Sequence, residues 1–317
     1  MRRALVTAVK AMRRRGGGTP APDSPAEDLE AYALAMREQM ERMGSRLRPS
    51  RRVRWHEVGP GHGSCPLAGL WVEDDAVAAE DRVVLHLHGG AYLMGSPRTH
   101  LGMAASLSRT ARCPVLLPDY RLAPEHVFPA ALDDAVAAYR WLTEERGFAP
   151  KRIAITGDSS GGGLGLALLV RLRDEGHELP ACFVGFSPWT DLAGTGNSLR
   201  ELDELDPWLS AAMVAPAARA YAGETPLEDP LLSPLYADLT GLPPILIHVG
   251  SHEILLDDAR RQVERARAAG VDASVGVFEE MWHVFVAFPG LPETRRALRE
   301  AGAFIRRCTA TAEGRAS

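Results

Sequence analysis

The chain has 317 residues, a formal net charge of −5 and 46% hydrophobic residues. That length suits one large α/β domain carrying a cap, because no Pro- or Ser-rich linker divides the chain. The negative charge, and a body in which Arg and Lys do not alternate with aromatic residues, argue against a nucleic-acid partner. No apolar run approaches the length needed for an integral membrane segment.

The cysteine pattern indicates whether the protein works in a reducing or an oxidising compartment. The four cysteines form no CxxC pair; they are Cys65, Cys113, Cys182 and Cys308. They lie in or beside apolar segments, which favours reduced, buried thiols over a disulfide framework. The sequence therefore predicts a cytoplasmic protein.

The first fifteen residues place several arginines around the short apolar run 4–9. This run is too short for a secretory signal and lacks a cleavage site. Two interpretations are left: a solvated tail, which we prefer, or a basic segment lying on a membrane surface.

A helix is predicted to start near Ser24, because an N-cap serine followed by Pro25 and Glu27 is a helix-start signature. Its apolar residues recur at helical spacing; they are Leu29, Tyr32, Ala33, Met36, Met40 and Met43. Such a stripe must be covered. We favour packing on the main body over contact with a substrate.

Strand-like and helix-like segments then alternate along the chain. An antiparallel pair is predicted at 53–58 and 70–73, followed by buried strands at 83–87, 115–118, 153–156, 182–186, 245–249 and 274–278. Helical patterns occupy 99–112, 129–145, 161–175, 257–269 and 293–307. Repeated strand and helix predict a mostly parallel, doubly wound sheet with helices on both faces.

The interval 191–242 interrupts this alternation, since it contains no convincing strand and is rich in Pro, Gly and short helical pieces. We interpret it as a cap insertion. The predicted organisation is an N-terminal tail and cap helix over 1–50, and a catalytic core in two parts over 51–190 and 243–317. The cap insertion lies between those parts.

The most informative motif is Gly157-Asp158-Ser159-Ser160-Gly161, which follows an apolar strand and precedes a helix of small residues. A Gly-x-Ser-x-Gly turn holds its central residue in a cramped backbone conformation that only small neighbours permit. The turn lifts the serine hydroxyl above the sheet edge. Ser159 is therefore the candidate nucleophile.

A serine nucleophile needs an imidazole that accepts its proton and a carboxylate that orients the imidazole. His283 follows the last predicted strand and is the candidate base. Glu253, in the loop after the strand 245–249, is the preferred acid. Asp257 is the alternative acid, although it is also expected to be the N-cap of the next helix.

Acyl transfer also requires N–H groups that stabilise negative charge on the former carbonyl oxygen. Gly89, Gly90 and Ala91 follow the strand 83–87, and their small side chains would let that oxygen approach the backbone. With the N–H of Ser160 they form the predicted oxyanion hole. The alternative is a tight turn that only connects a strand to a helix.

The sequence predicts no cofactor and no metal. The glycine-rich stretch 161–165 lacks the lysine of a phosphate loop and the spacing of a dinucleotide fingerprint. His86 and His88 are expected to point to opposite faces of their strand, and no recognisable metal-binding pattern accompanies them.

Bulky side chains near these positions would narrow an acyl pocket, and the candidates are Tyr92, Trp208, Met213 and Trp282. A narrow pocket predicts a preference for short acyl chains. Packing in the core is the alternative for each of them, and for Trp208 both interpretations stay open.

These motifs resemble those of the hormone-sensitive-lipase-like branch of the α/β-hydrolases. The resemblance spans about residues 80–290 and rests on His88-Gly89-Gly90, the serine motif at 157–162, and the stretches 119–126, 128–131 and 229–234. It implies an esterase for short to medium acyl chains, with a mobile cap formed by the N-terminal helices and the insertion. It also assigns Ser159 as nucleophile and His283 as base. The family often has a third glycine where this chain has Ala91, and usually aspartate where it has Glu253.

The resemblance also implies alternatives. Some bacterial members remove acetyl groups from oxygen or nitrogen of secondary metabolites. Plant receptors for small molecules share the fold but have lost the catalytic histidine, and the presence of His283 argues against that class. The expected partner is a small-molecule ester, and a homodimer is left open.

Overall fold

A computed structural model describes residues 6–7, 26–44, 52–77 and 81–310. Most of the basic N-terminal run, and the helix-start residues Ser24 and Pro25, lie outside the described residues. None of the helices within the described ranges has the length and apolarity needed to cross a bilayer.

Eight strands form one sheet in the spatial order β1-β2-β4-β3-β5-β6-β7-β8. Their bounds are Val53–Val58 (β1), Gly69–Asp74 (β2), Val83–Leu87 (β3), Val115–Pro118 (β4), Ile153–Asp158 (β5), Cys182–Phe186 (β6), Ile245–Gly250 (β7) and Ala273–Phe278 (β8). β2 pairs antiparallel with β1 and β4, whereas β3 to β8 run parallel. The predicted mostly parallel, doubly wound sheet is confirmed.

The helices are Ala26–Gly44 (α1), Leu101–Ala111 (α2), Ala130–Arg140 (α3), Ser160–Asp174 (α4), Ser198–Glu201 (α5), Ala211–Ala222 (α6), Leu256–Ala268 (α7) and Pro292–Cys308 (α8). The helix predicted at 129–145 ends as an α-helix at Arg140 and continues as a π-helical turn, Trp141–Glu145. β5 runs two residues further than predicted, because Gly157 and Asp158 still pair with β6.

Two apolar clusters cover the two faces of the sheet. Successive side chains of a strand point to opposite faces, so Leu85 of β3 joins one cluster and its neighbour Val84 joins the other. Residues of α3, α4 and α7 belong to the first cluster, and residues of α2 and α8 to the second. The central strands β3 to β6 are therefore buried on both faces, whereas the edge strand β1 is largely exposed.

The helix α1 packs on the main body, as the apolar stripe predicted. Ala33 and Met36 are buried. Arg37 donates to the carbonyl oxygens of Leu93 at 2.7 Å and Ala123 at 2.8 Å, and forms a two-pronged pair with the Glu125 carboxylate at 2.6 and 2.7 Å. One guanidinium thus joins the helix to two separate loops.

The interval 191–242 is described throughout and contains no strand. It holds α5, α6 and a 3-10 turn at Pro234–Tyr236, between β6 and β7. Its assignment as a cap, and the division of the chain around it, stay predictions.

Candidate active site

Ser159 lies in the sharp turn between β5 and α4, at the carboxyl edge of the sheet. Its backbone has φ 52° and ψ −124°, a conformation that costs a non-glycine residue free energy. A Cβ atom on Gly157 would collide with the carbonyl of Gly161, and one on Gly161 would collide with the carbonyls of Leu87 and His88. Both positions must be glycine for this turn to close against β3.

The structure brings Ser159, His283 and Glu253 together. The Ser159 Oγ lies 2.9 Å from Nε2 of His283, although the two residues are 124 positions apart in the chain. On the other side of the ring, Nδ1 of His283 faces Oε1 of Glu253 at 3.5 Å. That distance is longer than a hydrogen bond, and neither atom has a hydrogen-bond partner within the described part of the chain. Contacts of this kind often tighten only when substrate is bound.

The surroundings of His283 favour its protonated form. Burial alone would lower its pKa, but the facing Glu253 carboxylate, with added contributions from Asp206 and Asp158, raises the pKa above the ordinary histidine value. A neutral ring with its proton on Nδ1, toward Glu253, leaves Nε2 able to accept the Ser159 proton. His283 can therefore accept the Ser159 proton as the hydroxyl attacks, and Glu253 can stabilise the resulting imidazolium.

The Glu253 side chain is fully buried. Its Oε2 accepts hydrogen bonds from the Ser187 hydroxyl and from the Gly250 N–H, both at 2.8 Å. Oε1 is left to face His283. Sequence reasoning named Glu253 but found neither donor, because Ser187 lies 66 residues away and follows a different strand.

Asp257 is engaged elsewhere, and its predicted role as an N-cap is wrong. It is the second residue of α7, whose N-cap is Leu255 and has no side-chain cap. One Asp257 oxygen accepts the N–H of Ser198 at 3.0 Å, so the carboxylate joins α7 to the insertion.

The oxyanion loop departs from prediction at Gly89. The Gly89 N–H donates to Oδ1 of Asp158 at 3.1 Å, so that group already has an acceptor. The N–H groups of Gly90, Ala91 and Ser160 have no acceptor among the residues that the structure covers. Ala91 adopts φ 55°, in the left-handed region that side chains rarely occupy, and such strain is typical of functional turns.

A buried histidine cluster surrounds Asp158. His86 Nε2 lies 3.3 Å from one Asp158 oxygen, and His100 Nε2 lies 3.5 Å from the other. Burial would raise the pKa of Asp158, but His100 and His86 together lower it well below the ordinary value. The carboxylate that binds the Gly89 N–H is therefore charged. Sequence reasoning quoted Asp158 within the serine motif without assigning it a role.

The expected orientation of the two strand histidines is wrong. Residues two apart on a strand share a face, and the rings of His86 and His88 lie 6.2 and 5.3 Å from that of His100. Burial, with the neighbouring His100, lowers the pKa of His88 to about 3, so its ring is neutral. Its Nδ1–H donates to the Gly89 carbonyl at 2.9 Å, and the Tyr120 hydroxyl donates to the His88 carbonyl at 2.6 Å. No metal-binding group of three or more side chains occurs in the described ranges.

Two of the predicted pocket residues are fully buried. Tyr92 is stacked on Tyr221 with ring centroids 3.6 Å apart, and it is 1% exposed. Trp282 is 1% exposed as well. Its ring meets the Phe288 ring edge-on, with the two ring centroids 5.5 Å apart. Tyr92 belongs to the first apolar cluster and Trp282 to the second.

Trp208 and Met213 are half-buried in the insertion. The Trp208 ring also meets Phe288 edge-on, at 5.7 Å. Phe288 therefore joins Trp208 of the insertion to Trp282, which precedes His283. Sequence reasoning missed Phe288, since it lies beyond the motif.

Asp206 is a further buried carboxylate near these residues. Its Oδ1 accepts the N–H groups of Trp208 and Leu209 at 2.9 and 3.1 Å, and its Oδ2 accepts the N–H of Ile254 at 3.3 Å. Burial, reinforced by the Glu253 charge, raises the pKa of Asp206 to about 6 despite the opposing charge of His283. This residue connects the insertion to the loop that carries Glu253.

A surface depression of about 600 Å³ lies elsewhere, beside the amino ends of β4 and β5. Trp71, Arg146 and Phe148 line it, and it includes none of the residues described above. Its position opposite the carboxyl ends of the strands argues against a role in catalysis.

Comparisons with known proteins agree with this geometry. The α/β hydrolase fold family matches residues 84–287. An acetyl-hydrolase of Streptomyces hygroscopicus is 47% identical over 74% of this chain and 78% of its own length. An esterase of Acinetobacter venetianus is 38% identical over 75% of this chain and 79% of its own length. The crystal structure of an esterase from the bacterial hormone-sensitive lipase family superposes with a TM-score of 0.86 at 42% identity, covering 96% of this chain and 98% of that one. The chain therefore belongs to the hormone-sensitive-lipase branch of the α/β-hydrolase family and is a serine ester hydrolase.

Proposed function

We propose that this enzyme hydrolyses short to medium acyl esters, with Ser159 as nucleophile, His283 as general base and Glu253 as the acid that orients it. The observation that carries the assignment is the 2.9 Å contact between the Ser159 hydroxyl and Nε2 of His283. In this contact the strained serine of the Gly-x-Ser-x-Gly turn meets a buried imidazole, and the Glu253 carboxylate faces the other side of the ring.

In this mechanism, His283 accepts the Ser159 proton as Oγ bonds to the ester carbonyl carbon. The tetrahedral intermediate collapses when His283 gives that proton to the leaving alkoxide, which departs as an alcohol. A water molecule then attacks the acyl-enzyme through the same base and releases the carboxylic acid. The Glu253 carboxylate stabilises the imidazolium in both halves of the reaction.

We assign the oxyanion hole to the N–H groups of Gly90, Ala91 and Ser160. The hydrogen bond from Gly89 to Asp158 removes Gly89 from the predicted set of donors. The bonds that Asp158 and His88 make to Gly89 hold the loop in place, so its donors are aimed before substrate arrives.

The preference for short chains is supported by the aromatic packing of Trp208, Phe288 and Trp282 beside His283. Acetyl hydrolysis is the second candidate function, because the relative named acetyl-hydrolase is 47% identical to this chain. A series of p-nitrophenyl esters from acetate to laurate, run beside an acetylated amine, tests both. Turnover confined to chains of twelve or more carbons would contradict the proposal, and turnover of the amide alone would favour deacetylation.

We also infer a cytoplasmic location. Support comes from Cys65, Cys113 and Cys182, which are buried as free thiols, and from the half-buried Cys308. The proposed partner is a small-molecule ester substrate, and we propose no nucleic-acid partner. A homodimer stays a prediction, which light scattering on the purified enzyme would test.

A further inference from the structure

Ser187 occupies the turn directly after β6 and takes part in no step described above. It is 1% exposed and adopts φ 50°, the left-handed region that costs a non-glycine residue free energy. Its backbone N–H donates to the carbonyl of His248 on β7 at 2.7 Å, which fixes the turn against the neighbouring strand. The fold therefore maintains an unfavourable backbone conformation at a serine.

The hydroxyl of Ser187 joins two loops of the site. It donates to Oε2 of Glu253 at 2.8 Å and accepts the N–H of Val284, the residue after His283, at 3.1 Å. One oxygen atom thus contacts both the acid and the backbone beside the base. A hydroxyl can satisfy both partners at once, since it carries one donor and two acceptor lone pairs.

We infer that Ser187 is a positioning residue that sets the orientation of the Glu253 carboxylate toward His283. This inference rests on the proposed roles of those two residues. The carboxylate has two oxygens, and Oε1 faces the ring at 3.5 Å with no hydrogen-bond partner of its own among the described residues. Its direction is therefore set at Oε2, by the Ser187 hydroxyl and the Gly250 N–H.

Removal of the hydroxyl has two consequences. Glu253 keeps a single donor on Oε2, so its carboxylate is free to rotate away from the ring. The N–H of Val284 loses its acceptor in a buried place, which loosens the loop beside His283. Both changes weaken the orientation of the base without altering any group that touches the substrate.

The pH dependence reports this orientation directly. The charged groups around His283 are Glu253, Asp206 and Asp158, and Glu253 contributes most to the raised pKa of the ring. When Glu253 turns away, the remaining two are left to oppose burial, so the pKa of His283 falls. The acid limb of kcat/KM, which requires neutral His283, should then move to lower pH.

The test compares Ser187→Ala with Ser108→Ala as a matched control. Ser108 is also buried and accepts one backbone N–H, that of Asp74 at 3.0 Å, but it lies in α2, away from Ser159, His283 and Glu253. For Ser187→Ala we expect kcat to fall about 10- to 100-fold, the loss of one hydrogen bond to a charged group, with KM nearly unchanged. Its acid limb should move to lower pH, and Ser187→Cys should recover part of kcat. Ser108→Ala should lower the thermal transition alone.

An unchanged kcat and acid limb in Ser187→Ala would overturn the inference, and so would an equal loss in Ser108→Ala. Should Ser187→Ala fail to fold, Ser187→Gly makes the same deletion with a residue suited to this φ, and its kcat and pH profile decide. Ser159→Ala, measured in parallel, separates the two proposals. If it retains turnover, the proposed function fails; if it is inactive while Ser187→Ala is normal, only the positioning role fails.

Discussion

The nucleophile and the acid of the proposed triad are held in place by different means. Ser159 is fixed by the backbone, in a turn that closes only because glycine at Gly157 and Gly161 avoids collision with neighbouring carbonyls. Glu253 is fixed by hydrogen bonds to one oxygen, from the Ser187 side chain and the Gly250 backbone. The first arrangement is encoded within five consecutive residues, whereas the second depends on a contact between distant parts of the chain.

This difference predicts how the sites of Ser159 and Glu253 respond to substitution. A position set by the backbone tolerates loss of the side chain it presents, so function disappears and structure remains. A position set by side-chain hydrogen bonds weakens by degrees as donors are removed.

Ser159→Ala tests the residue whose position is set by the backbone. We expect kcat for p-nitrophenyl butyrate to fall by about 10⁶-fold, because no other group replaces the nucleophile. The thermal transition should stay within a few degrees of wild type, since the turn is closed by its glycines. His283→Ala should cost as much, and the double variant no more, because the two residues act as a unit. Substantial turnover in either single variant would refute the assignment.

Glu253→Gln tests the residue held by hydrogen bonds to its carboxylate, and Asp257→Asn is its matched control. We expect Glu253→Gln to lower kcat by about 10⁴-fold, because an amide cannot stabilise the imidazolium or keep the productive tautomer. Asp257→Asn should leave kcat within about twofold and cost at most about 1 kcal/mol in the free energy of unfolding, since its oxygen can still accept the Ser198 N–H. If the two variants exchanged these outcomes, Asp257 would be the acid.

Asp206→Asn tests the charge of the buried carboxyl that links the insertion to the acid loop. Folding raises the pKa of Asp206 to about 6. A carboxyl with a raised pKa stabilises the native state below about pH 4, its unfolded value, and this contribution is lost as the pH rises through about 6. Between pH 4 and pH 7, wild type should therefore lose up to about 3 kcal/mol of unfolding free energy relative to the variant. Urea unfolding of both proteins across this pH range measures the loss. A difference in unfolding free energy that did not change with pH would contradict the prediction.

Trp208→Ala tests the pocket, where we expect the smallest effect. Removal of the ring that meets Phe288 should open space, so kcat/KM should shift by several fold from butyrate toward octanoate esters. Trp55→Ala is the control, since Trp55 is exposed on the edge strand β1 and should leave the profile unchanged. An unmoved profile in Trp208→Ala would remove Trp208 from the acyl pocket.

The sequence predicted the features that depend on residues close together in the chain. The strands were found to within about two residues because buried parallel strands are continuous apolar runs, and the serine turn was found because its glycines are adjacent in sequence. Ser187, Asp206 and Phe288 were missed, since each acts through a partner that only the folded chain brings near. The errors at Gly89 and Asp257 have the same origin: each has a hydrogen-bond partner in another element.

The attachment of α1 by Arg37 bears on how truncated versions of this enzyme should be interpreted. Leu93 and Ala123, whose carbonyls receive the guanidinium, lie in loops that continue from the oxyanion turn and from β4. A protein shortened past residue 44 lacks the group that satisfies both carbonyls, so the oxyanion turn loses an external brace. Reduced activity after such a truncation would measure the loss of that brace, and it would not show that the N-terminal helix contacts substrate.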